Sequence, residues 1–127
     1  MISEIKSIQV ENVDFNRNFV PDDKTNFNFL LRVMIGLEGN EAEESFDLEV
    51  CSISWAENYL ERNGVLVGRH LIIMKEYHYE VLEKKVLNLF AKREGSNWEE
   101  IASYFSRFGY WEFEDYSDET SCEIRSD

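Results

Sequence analysis

The sequence predicts an α+β fold: a mainly antiparallel sheet of about five strands with three helices packed on one face. Two observations carry this. Residues 27–37 (FNFLLRVMIGL) and 44–51 (ESFDLEVC) alternate apolar and polar side chains around a Gly-containing turn, the pattern of a hairpin. From residue 54 onward the apolar spacing becomes helical, interrupted by one short apolar run, HLIIM at 70–74. Strands early and helices late favour an antiparallel sheet with helices laid on it over a doubly wound βαβ sheet.

Each element has its own signal. Residues 2–11 are expected to form a first strand, with Ile8 and Val10 on one face. Residues 12–26 hold Asp, Asn and the only proline, Pro21, and read as a connection. Phe27, Phe29, Leu31, Val33 and Ile35 then share a strand face, and so do Phe46, Leu48 and Val50 in the next strand. Ser54 with Glu57 fits a capping box for a first helix that Asn63-Gly64 would end. Residues 77–94 read as a second helix, with a stripe of Tyr79, Leu82, Val86, Leu89 and Phe90, closed by Gly95. Ser96 with Glu99 would cap a third, carrying Trp98, Ile101, Ala102 and Phe105, with Gly109 as its left-handed stop. A last strand follows from Tyr110, expected to turn Trp111 and Phe113 inward and Tyr110, Glu112 and Glu114 outward. One domain over residues 1–116 is expected, then a frayed, polar, acidic tail at 117–127.

The chain of 127 residues is long enough for one real core, and at 43% hydrophobic it is globular. It has no apolar run long enough to span a membrane, and its start lacks the basic and apolar regions of a signal peptide. Cys51 and Cys122 lie far apart and read as two free thiols, which fits a reducing cytoplasm. The formal net charge is −13. Glu38, Glu41, Glu43, Glu44, Asp47 and Glu49 fall in residues 38–49 without a base, for a net −6. Residues 110–127 carry seven acids against Arg125, again a net −6, which leaves only −1 for the rest of the chain. Such a surface excludes direct nucleic-acid binding, which needs a basic footprint, and favours a basic partner.

Catalytic readings find little support. His70 and His78 stand eight positions apart, which matches no zinc motif, and read as ordinary structural or surface histidines. There is no nucleophile elbow and no phosphate-binding loop, and no cofactor is implied. Glu112 and Glu114 would be roughly 7 Å apart on a strand. That spacing suits a small glycoside hydrolase, but any solvent-facing Glu-x-Glu strand has it.

Pro21-Asp22-Asp23, the run Glu44 to Cys51 before a Trp-bearing helix, Gly68-Arg69-His70, and Trp111 to Tyr116 occur in an order and spacing that resembles the immunity protein 8 family of bacterial polymorphic toxin systems. The resemblance spans about residues 4–116 and rests on no single motif. It implies a small cytoplasmic protein that binds and neutralises a cognate toxin, with no catalytic residues. Toxins of this kind include nucleases, whose basic clefts suit an acidic stopper. The contact surface is then expected to draw on Glu41, Glu43, Glu44, Asp47 and Glu49 from one acidic segment. Tyr110, Glu112, Glu114, Asp115 and Tyr116 would come from the other. An acidic DNA mimic that blocks a nucleic-acid enzyme is the neighbouring alternative.

Overall fold

A computed structural model describes residues 1–114. Its elements are β1 (Ser3–Val10), β2 (Val13–Asp14), β3 (Asn28–Leu37), β4 (Glu44–Ser52), α1 (Ile53–Asn63), β5 (Leu71–Met74), α2 (Tyr79–Leu89), α3 (Trp98–Phe105) and β6 (Tyr110–Trp111). The α+β class and the mainly antiparallel sheet hold, with six strands in the order β2-β1-β3-β4-β5, and β6 also on β4. The long β3–β4 hairpin is its centre, paired from Asn28↔Cys51 to Ile35↔Glu44.

The period-two alternation decides which face is buried. Phe29, Leu31, Val33 and Ile35 of β3 and Phe46, Leu48 and Val50 of β4 are all buried. They share one core with Leu82 and Val86 of α2, with Phe90 just beyond it, and with Ile101, Ala102 and Phe105 of α3. Helix α1 buries only Ala56, which stands outside that cluster. At one end Phe15, Phe19, Phe27, Phe29 and Tyr77 form an aromatic group in which Tyr77 meets Phe19, Phe27 and Phe29 edge to face.

Several local expectations need correction. The span 12–26 is not all connection: Glu11 and Asn12 both take positive φ, 50° and 66°. This two-residue turn folds β2 back on β1 with Val10↔Val13. Helix α1 is capped by Ser52, two residues earlier than Ser54, because Ser52 Oγ accepts from Trp55 N at 3.2 Å and from Phe27 N at 3.1 Å. Ser54 instead donates to Thr25 O. Gly64 does stop the helix in the left-handed region, at φ 78°.

Helix α2 ends at Leu89 rather than running to residue 94. Its successor Phe90 is buried, and the chain beyond finds backbone partners elsewhere. Ser3 N donates to Arg93 O at 3.0 Å, Arg93 N to Ser3 Oγ at 2.8 Å, and Gly95 N to Met1 O at 3.0 Å. Helix α3 is capped by Asn97, not Ser96: Asn97 Oδ1 accepts from Glu100 N at 2.9 Å. Gly109 is not a left-handed cap. A Cβ there would lie 3.1 Å from Phe46 Cβ and 3.2 Å from Phe90 Cζ, so glycine serves close packing against β4.

The last strand is also shorter than expected. Strand pairing ends at Trp111, and Glu114 N donates back to Trp111 O at 2.9 Å, closing a turn. Trp111 does face the core, stacked on Phe46 at 6.3 Å. Phe113 does not, and is 37% exposed, because the turn carries it off the strand.

Candidate partner-binding surface

The second edge of β4 is shared by two short strands. β5 runs parallel along Glu49–Ser52, and β6 runs antiparallel along Phe46 and Asp47. Tyr110 is the register partner of Asp47. Beyond it Glu112 N donates to Ser45 O at 3.3 Å, and Ser45 N donates to Glu112 Oε1 at 2.8 Å. The two acidic segments of the sequence therefore adjoin along one strand.

On the sheet face away from the core, alternation sets Asp47 and Glu49 of β4 beside Arg32 and Leu30 of β3 and Tyr110 of β6. Asp47 accepts two hydrogen bonds from Arg32, Nε to Oδ1 at 2.8 Å and Nη2 to Oδ2 at 2.9 Å. This bidentate geometry, the Asp47 charge and the nearby Glu112 raise the guanidinium pKa further. Glu49 accepts from Asn28 Nδ2. Leu30 and Tyr110 stand 52% and 46% exposed. The face thus joins carboxylates to two uncovered apolar bodies.

The other expected residues have different posts. Glu44 is a scaffold: its Oε1 accepts from Trp98 Nε1 at 2.7 Å and Trp111 Nε1 at 2.8 Å, tying α3 to β6. Glu41 and Glu43 sit exposed on the β3–β4 turn and make no ion pair among the described residues. Glu114 accepts from Arg69 Nη2 at 2.5 Å. Asp115 and Tyr116, like the 117–127 tail and Cys122, lie outside the described residues. Sequence reasoning missed Arg32, a half-exposed cation paired with Asp47. Its position opposite Asp47 in a hairpin register was the available signal.

Glu112 and Glu114 do not share an extended strand face, since the turn at 112–114 separates them and each carboxylate has a local partner. The expected outward placement on one strand is corrected accordingly. His78 caps α2, with Nδ1 accepting from Val81 N, and His70 Nε2 bonds Ser106 O at 2.9 Å. Burial pushes the Cys51 thiol pKa up, with Glu49 adding to it. Among the described residues no cluster of His, Cys, Asp or Glu is placed to hold a metal ion, and no helix is long and apolar enough to cross a membrane.

Neither the curated proteins nor the solved structures contain a match to this sequence. The family model of immunity protein 8 matches residues 3–116, nearly the whole described fold, with the acidic segment at 38–49 and the start of the one at 110–127. The chain belongs to the immunity protein 8 family.

Proposed function

We propose that this chain binds and neutralises a cognate toxin domain in the bacterial cytoplasm, as a stoichiometric blocker with no reaction of its own. Residues 1–116 act as the single binding unit, and the toxin presents a basic surface, as a nuclease cleft does. The contact is centred on Asp47, Glu49, Tyr110 and Glu112, with Glu41 and Glu43 at the turn beside them and Glu114, Asp115 and Tyr116 beyond. The observation that carries this reading is the pairing of Asp47 with Tyr110, which gathers two acidic segments onto one edge.

Physical chemistry supports the assignment. A concentrated negative field raises encounter with a basic partner toward about 10⁸ M⁻¹s⁻¹ at low salt. Tyr110 and Leu30 supply apolar area that becomes desolvated on contact, where binding energy concentrates. Glu44 and Glu112 are poor probes of this surface, because their replacement disturbs the fold itself.

The test is co-expression with the toxin encoded beside it. The unaltered chain restores growth. Combined Asp47→Asn, Glu49→Gln and Tyr110→Ala substitutions reduce rescue and flatten the salt dependence of complex formation, with the fold retained. A chain that never rescues overturns the function. Full rescue by the triple variant overturns only the surface.

A further inference from the structure

We propose that the free edge of β5, with the apolar groove beside α2, is a second docking site, one that takes an extended acidic peptide segment as an added strand. This goes beyond toxin neutralisation by the acidic face, and lies on a different part of the molecule with the opposite charge.

The backbone argument comes first. Among the described residues β5 pairs with β4 alone. Glu49 N donates to His70 O at 2.9 Å. In a parallel pair, alternate residues direct their N–H and C=O groups to the same neighbour. His70, Ile72 and Met74 therefore face β4, while Leu71 and Ile73 turn theirs to the open edge. An added strand would satisfy those groups, as in β-strand addition generally.

The side chains fit the same occupant. Below the edge lies a groove of about 650 Å³ lined by Ile72, Ile73, Met74, Val81, Lys84 and Lys85, among others. Ile73 is 51% exposed and Val81 57%. A strand laid along β5 would send every second side chain into this groove. Lys84 and Lys85 are exposed on its rim and make no ion pair among the described residues, in a chain of net charge −13. Protected edges carry charge, proline or a bulge on the strand itself. Leu71-Ile72-Ile73-Met74 carries no charge and no proline, and the lysines stand on α2 instead. The pair of lysines selects carboxylates on the incoming segment.

The probes are capped peptides of about eight residues, a strand's length. One alternates Val with Glu, one alternates Val with Lys, and one is the Val–Glu peptide with every backbone amide N-methylated. Titrated into the full chain and followed by NMR, the Val–Glu peptide should shift and protect the Leu71 and Ile73 amides. The N-methylated peptide should not bind, and the Val–Lys peptide should bind roughly tenfold more weakly or worse. Lys84→Glu with Lys85→Glu should reverse that preference. No binding of the Val–Glu peptide, binding that survives N-methylation, or a preference untouched by the lysine reversal each overturns the proposal. So does a dimer in solution that Ile73→Pro disperses, because the edge would then serve a second copy of the chain. Failure here leaves toxin neutralisation standing, since that test reads a different face.

Discussion

The two strands that share the outer edge of β4 make an instructive pair. β6 meets the first half of β4, where Asp47, Glu112 and Glu114 each hold a hydrogen-bond partner. β5 meets the second half, among isoleucines and unpaired lysines, and half of its backbone groups face outward. One region is finished and charged. The other is apolar and incomplete. On the two proposals above, one edge of β4 serves two kinds of recognition, one led by charge and one by backbone pairing.

The largest expected effect lies on the β6 side. Phe46 is fully buried and packs against Phe90, Trp98, Phe105 and Trp111. Phe46→Ala should cost about 3–5 kcal/mol in chemical denaturation, releasing β6 before β5. A loss below about 1 kcal/mol would mean that the acidic region does not depend on this packing.

Next is Glu44. Glu44→Ala removes the acceptor of two indole N–H groups and should cost about 2–3 kcal/mol. Glu44→Gln keeps a carbonyl oxygen and should fall between. Equal stabilities of the two variants would show that the shared acceptor matters little. On the β5 side, Ser52→Ala removes the α1 cap and the Phe27 N–H acceptor together, for about 1–2 kcal/mol by thermal or chemical melts.

Asp47→Asn should be milder for the fold. Its partner Arg32 is about half exposed, so solvent screening leaves a loss of about 1 kcal/mol. Its visible effect should be a slower, less salt-dependent association with the toxin in stopped-flow measurements, and an unchanged salt slope would remove Asp47 from the contact.

The smallest effect is confined to alkaline solution. Burial, with Tyr79 and Glu80 nearby, pushes the Tyr77 phenol up to about 12. Above the ordinary value of 10.0 the unfolded chain loses a proton that the folded chain keeps, so stability falls as pH climbs through about 12. Absorbance titration should show a phenolate near pH 12 that Tyr77→Phe abolishes. Its persistence in that variant would reassign the group.

Much of this was legible in the sequence because the β3–β4 alternation is strong and long. Phe29 to Ile35 and Phe46 to Val50 could be buried on only one face without exposing the other. Helix ends were less legible, since Ser52 and Ser54 are equally good caps in sequence and only Phe27 N–H, from a distant strand, selects Ser52. Phe113 misled for a related reason: continued alternation predicts it inward, but the Trp111–Glu114 turn overrides local pattern. Glu44 looked like one more surface acid. Nothing local announces that two tryptophans from later elements converge on it. The adjacency of the two acidic segments depended likewise on a long-range pairing.

The clamp between residues 1–3 and 93–95 has a consequence in time. The first strand is held by a segment 90 residues further along the chain, and Asp47 pairs with Tyr110 across a comparable distance. Contacts so distant in sequence slow folding, because the loops they close must be ordered first. A nascent chain cannot pair Asp47 before Tyr110 has been translated, at roughly 5–20 residues per second. The acidic edge therefore forms seconds after Asp47 itself is made, and under the proposed function a standing pool of folded protein bridges that gap.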